Sequence, residues 1–97
     1  YITVTVVEDY NVTPRNAITP NGDGKNDAWV VANITSYPNN QVRIFDRAGR
    51  LLFVESNYQN GWDGTVNGVP LKEDTYYFII TFGPGVKPKK GFISIIR

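Results

Sequence analysis

The sequence predicts an all-β sandwich, and three observations carry that prediction. Apolar residues recur with a period of two, most clearly in Thr75 to Phe82, where Tyr76, Phe78, Ile80 and Phe82 share one face. Turn dipeptides crowd the middle of the chain as Asn60-Gly61, Asp63-Gly64 and Asn67-Gly68. No stretch shows a 3.6-residue apolar period with helix caps. Short alternating segments separated by such turns build antiparallel sandwiches of about seven strands.

In chain order, Ile2, Val4 and Val6 alternate with Thr3 and Thr5, which reads as a half-buried strand, and Glu8 to Asn11 breaks it. This strand either opens the domain or closes a preceding one. Val12 to Ile18 reads as a short strand entering the loop Thr19-Pro20-Asn21-Gly22-Asp23-Gly24-Lys25-Asn26-Asp27. Ala28 to Val31 resumes extended chain, and Asn33 to Asn40 is a loop containing Pro38. Gln41 to Phe45 and Leu51 to Val54 form a hairpin, with Gly49 placed for the left-handed position that a three- to five-residue turn needs. After the Thr75 to Phe82 strand, Gly83-Pro84-Gly85 turns the chain and Phe92 to Ile96 closes the fold.

Composition narrows the functions. A chain of 97 residues with 41% hydrophobic and 13% aromatic residues suits one folded domain with a single core. Ten basic and nine acidic residues leave a net charge of +1, so nothing in the balance calls for nucleic acid or an anionic membrane. The chain has no His and no Cys, which excludes histidine bases, thiol nucleophiles, disulfides and zinc sites of the usual ligands. It also has no Met, which reads as a piece taken from the end of a longer protein. No signal peptide and no apolar run long enough to span a membrane is present.

The loop from Thr19 to Asp27 is the first chemical candidate. Calcium takes six to eight oxygens on a flexible scaffold. Asn21, Asp23 and Asp27 can supply side chains, Lys25 a carbonyl and Asn26 an amide, with Asp9, Asp63 or Asp74 as further donors. The spacing is not that of an EF-hand. At a dissociation constant of about 10⁻⁴ to 10⁻³ M, roughly 2 mM calcium would add about 0.6 to about 1.8 kcal/mol of stability. Against this stands a turn that satisfies itself through Asx motifs, with Lys25 solvated. Both readings stand at this level.

Trp62, flanked by turns, could present a stacking platform for sugars with Trp29, Tyr37 and Tyr58. The structural reading is stronger, because a small sandwich buries tryptophan when its N–H finds an acceptor. Asp63 then caps its own turn. Acid–base catalysis needs two carboxylates held apart in a cleft, and Glu73-Asp74 instead adjoins a strand start, so an enzyme is not expected. Near the end, Lys87, Lys89, Lys90 and Arg97 form a basic approach that either meets a partner or, with Pro88, protects a strand edge. The triplets Asn11-Val12-Thr13 and Asn33-Ile34-Thr35 match a glycosylation acceptor by coincidence.

Five stretches in order carry a family resemblance. They are Thr19 to Asp27, Val42-Arg43-Ile44-Phe45-Asp46-Arg47-Ala48-Gly49, Trp62-Asp63-Gly64-Thr65-Val66-Asn67-Gly68, Thr75-Tyr76-Tyr77-Phe78 and Lys90 to Arg97. Together, over about Arg15 to Arg97, the chain resembles the gliding-motility-associated C-terminal domain of Bacteroidetes. The resemblance implies an immunoglobulin-like antiparallel β-sandwich that carries no chemistry. It implies a sorting signal by which the type IX secretion system moves an upstream cargo across the outer membrane, to the surface or the medium. The implied partners are the translocon or its shuttle proteins. The resemblance does not say which surface they meet, and the terminal strand with its basic approach, Lys89, Lys90, Gly91, Ile93, Ile95 and Arg97, is the expected contact. Residues 1–12 are then the end of a preceding domain and residues 13–97 the sorting domain. The chain departs from the family where Leu71-Lys72-Glu73-Asp74 replaces a Pro-x-Gly turn, and where Ala17 and Ala48 replace bulkier residues. The alternative is a calcium-stabilised adhesive or carbohydrate-binding sandwich, which requires Trp29 or Trp62 to be accessible.

Overall fold

The computed structural model describes residues 12–20 and 27–96, so the strand expected over Tyr1 to Val7, most of the Asn/Asp loop and Arg97 lie outside the described residues. Nine strands run through them: β1 (Thr13–Pro14), β2 (Ala17–Ile18), β3 (Val31–Ala32), β4 (Gln41–Phe45), β5 (Leu51–Ser56), β6 (Thr65–Val66), β7 (Val69–Pro70), β8 (Asp74–Thr81) and β9 (Lys89–Ile95). One 3-10 turn, Ile34–Ser36, occupies the loop expected before β4. Four strands of the expected length are present, and the excess over seven comes from two-residue ladders.

The split of Val12 to Ile18 into β1 and β2 has a direct cause in its hydrogen bonds. Arg15 N–H donates to the Val30 carbonyl at 3.1 Å, whereas the Asn16 carbonyl accepts from Ser94 N–H at 2.7 Å. Within two residues the backbone therefore leaves β3 and joins β9. β1 pairs antiparallel with β3, and β2 pairs parallel with β9. This segment stitches the two layers together.

The main sheet has the order β2-β9-β8-β4-β5, antiparallel except at β2. Its inner face presents Ile18, Ile93, Ile95, Tyr76, Phe78, Ile80, Val42 and Ile44, all buried. Facing them are Val12, Trp29, Val31, Ile34, Tyr58 and Trp62, which come from short ladders and loops rather than from a second long sheet. Each fully buried aliphatic or aromatic side chain contributes about 1.5–3 kcal/mol by leaving water. The sandwich thus has one regular layer and one irregular layer, and aromatic side chains bridge them.

Two glycines matter to this geometry. Gly49 has φ +86°, the left-handed position expected for the β4–β5 turn. Gly91 faces Phe78 across the β8–β9 ladder, and a Cβ there would lie 2.7 Å from the end of the Phe78 ring. The absence of a side chain at Gly91 is what lets that ring enter the core. Asp74, where the resemblance places glycine, needs no left-handed backbone: the non-glycine residues with positive φ among the described residues are Asn33, Asn57, Asn60 and Asn67. It opens β8, accepting a hydrogen bond from its neighbour Thr75 N–H at 2.7 Å.

Candidate functional site

β9 pairs along its length with β8, and β2 covers its other side only at Ser94 and Ile95, so no strand among the described residues pairs with the second edge of Lys89 to Ile93. Alternation along it sends Ile93 and Ile95 into the core, where both are buried. Neither side chain, both expected at a partner surface, can touch a partner while the domain is folded. Lys89 and Gly91 are half-buried on the same parity, and Lys90 and Phe92 are exposed on the opposite one. What β9 presents outward is therefore Lys90, Phe92 and the half-buried Ser94.

The register aligns those residues with neighbours of the same parity. Leu51 pairs with Phe45, Phe45 with Tyr77, and Tyr77 with Phe92, which sets one apolar row across four strands. Beside it runs a second row, Val54, Arg43, Ile79 and Lys90. Leu51, Val54, Tyr77 and Phe92 are between 44% and 51% exposed. Sequence reasoning set Tyr76, Phe78, Ile80 and Phe82 on one face of their strand but did not gather the row that crosses its other face. The signal available was that β8 is apolar on both parities, as a strand with one wet face need not be.

The turn at the end of that face is rigid. Asp46 Oδ1 accepts from Ala48 N–H and Arg50 N–H, each at 2.9 Å, and Oδ2 accepts from Arg50 Nε at 2.8 Å. The Arg50 backbone N–H, with the guanidinium behind it, holds the Asp46 carboxyl below its ordinary value. Next to it, Arg47 reaches Asp74 at 3.3 Å, and Lys72 approaches the same carboxylate at 3.9 Å.

The aromatics considered for sugar binding are inside. Trp29 is 0% exposed and Trp62 is 3% exposed, which removes both from any stacking platform. Trp29 Nε1–H donates to the Arg15 carbonyl at 2.8 Å and Trp62 Nε1–H to the Thr65 carbonyl at 3.1 Å. Tyr58, also buried, donates its hydroxyl to the Trp29 carbonyl at 2.6 Å and accepts from Trp62 N–H at 2.9 Å. Burial pushes its phenol far above the usual tyrosine range. Asp63 accepts from Thr65 Oγ1 at 2.7 Å and so caps its own turn.

Of the expected calcium donors, Asn21, Asp23 and Lys25 lie outside the described residues, and Asp27 is half-buried. Among the described residues no three carboxylates, histidines or cysteines gather as a metal site. No described helix is long and apolar enough to cross a membrane.

Comparison with known proteins completes the description. The CHU_C type IX secretion signal domain family matches residues 12–95. Among solved structures, the chain is similar to PorZ, an essential bacterial surface component of the type IX secretion system of Porphyromonas gingivalis. The two share 21% identity at a TM-score of 0.64, over 90% of this chain and 11% of PorZ. At that identity the likeness shows the fold, and the chain corresponds to a small part of the larger protein. No curated protein matches the chain.

Proposed function

The chain belongs to the type IX secretion signal domain family, and from that membership we infer a C-terminal sorting signal that directs the protein carrying it into the type IX secretion system. The match over residues 12–95 carries this reading. Its cargo is exported to the cell surface or the medium. The module works by being recognised, not by reacting. The carboxylates of Asp46, Asp63 and Asp74 are occupied in turns and surface ion pairs, which supports a non-catalytic role.

Finer points follow as part of the same reading. The translocon or its shuttle proteins recognise the folded domain along β9, with Lys89, Lys90 and Arg97 as its basic approach. Residues 1–11 link the domain to the cargo; Val12, expected in that linker, is buried in the core and lies within the family match. The loop holding Asn21, Asp23, Lys25 and Asp27 binds calcium weakly and stiffens the entry to the fold. Thermal unfolding in millimolar calcium against chelator tests the last point: a rise of several degrees is expected, and identical midpoints would remove calcium from the account.

The sorting role is tested by export. A signal peptide and fluorescent reporter fused ahead of the chain, in a host with a working type IX system, should reach the surface or medium. The same reporter without the chain should stay in the periplasm. Equal retention of both would overturn the reading. Deleting the last strand is a poor control, because Ile93 and Ile95 belong to the core and their loss would unfold the domain.

A further inference from the structure

We propose that the outer face of the main sheet is the docking surface through which this sorting domain is recognised, and that it takes an acidic protein segment bearing an aliphatic or aromatic anchor. The proposal rests on the sorting role and assigns its contact residues. Leu51, Phe45, Tyr77 and Phe92 form an unbroken apolar row over four strands, with Val54 and Ile79 beside it. Across this row, from the β4–β5 turn to the second row, lies a depression of about 640 Å³, lined by Phe45, Arg47, Tyr77, Ile79, Lys90 and Phe92. That volume suits one anchoring side chain and its neighbours, since small binding clefts run from about 300 to about 1,000 Å³.

Charge selects the occupant. Asp46 at the end of the depression is held by Arg50, and Arg47 is matched by Asp74. Arg43 and Lys90, which flank the row on its open side, have no carboxylate within ion-pair distance among the described residues. The face is thus apolar at its centre with two uncompensated cations beside it. Two copies of this chain meeting face to face would bring Arg43 and Lys90 against like charges, which disfavours self-association. A segment that places Asp or Glu beside an apolar side chain satisfies both features at once. Ladders on both sides of β8 and β4 hold the backbone of this face in place, so little ordering cost attends docking.

The test uses the exported reporter fusion with its unaltered chain as the reference. Tyr77→Ser with Phe92→Ser removes the anchor contacts, and Arg43→Glu with Lys90→Glu reverses the charge. All four positions face outward, so the fold survives, and circular dichroism with a thermal midpoint checks that it does. Val69→Ser and Lys72→Glu, both exposed and off this face, serve as controls. The expected result is a fall of about tenfold or more in surface reporter for each face variant, with folded fusion held in the periplasm and the controls exported normally. Normal export of both face variants would overturn the docking surface and leave the sorting role standing. Failure of the unaltered chain to be exported would strike the sorting role itself, and the proposal with it. Two further measurements address other occupants. Phe92-dependent sedimentation with phosphatidylglycerol vesicles would replace the protein segment with a membrane surface. A Phe92-dependent dimer in analytical ultracentrifugation would replace it with a second copy.

Discussion

Asn40 shows how much one polar residue can hold in a fold with an irregular second layer. It is the buried polar residue of the core, and its Oδ1 accepts from Tyr58 N–H at 3.0 Å while its Nδ2 donates to the Tyr37 carbonyl at 2.7 Å. Its carbonyl accepts from Asn57 N–H at 2.8 Å. Asn40→Ala would orphan the buried Tyr58 N–H, while the Tyr37 carbonyl keeps the Asn40 backbone N–H, so a loss of about 2 kcal/mol is expected, read as a fall of roughly ten degrees in thermal midpoint. A shift of a degree or two would mean that water replaces the side chain. Tyr58 adds a pH dependence. Its phenol keeps its proton in the folded chain well above the ordinary value of 10.0, whereas the unfolded phenol releases it there. The stability it contributes is therefore complete below about pH 10 and lost as pH rises beyond, by up to about 1.4 kcal/mol per unit. Tyr58→Phe should start about 2 kcal/mol less stable and then fall less steeply in urea melts from pH 9 to 11. Equal alkaline slopes in both proteins would show that another group governs that limb.

At the scale of elements, the β8–β9 pair decides what the closing strand can do. Their register sets Gly91 against Phe78, and the ring fills the space a side chain would take. Gly91→Ala should cost about 1–3 kcal/mol by displacing the ring of Phe78, which is buried in the core. Differential scanning calorimetry would show it, and an unchanged midpoint would place the ring elsewhere. Gly91 was expected at a partner surface; the structure gives it a packing role within β9. The β4–β5 hairpin was legible because Gly49 and the alternation on either side are local signals. Its bulge between Ile44 and Phe45 was not, since no residue type marks it. The β1–β2 break was equally hidden: Val12 to Ile18 reads as one strand, and only the separate partners of Arg15 and Asn16 divide it.

For the whole molecule, one long sheet carries the regular structure, and the opposite layer is assembled by tryptophan, tyrosine and asparagine hydrogen bonds. Trp29 packs on Tyr58 and Phe78 with ring centroids 5.5 Å and 5.0 Å apart, so a single side chain joins the irregular layer to β8. The layer opposite the sheet leaves the sheet's other face uncovered among the described residues, and that asymmetry sets the proposed recognition surface apart from the core. A sorting domain benefits from this division: the interior holds shape, while a rigid outer face can be read without unfolding.

The sequence by itself determined the all-β class, the hairpin, the division of β8 into two faces and the burial of both tryptophans. Each depends on local periodicity, turn residues or side-chain size. Its ordered motifs also pointed to the family that the comparison then showed over residues 12–95. Only the tertiary structure decided which residues of β9 face outward and which neighbours join them. Parity along one strand does not say which parity is wet, and a row across four strands exists only once their registers are set. That is why Ile93 and Ile95 belong to the core, while Leu51, Tyr77 and Phe92, far apart in the chain, form one exposed surface across the half-buried Phe45.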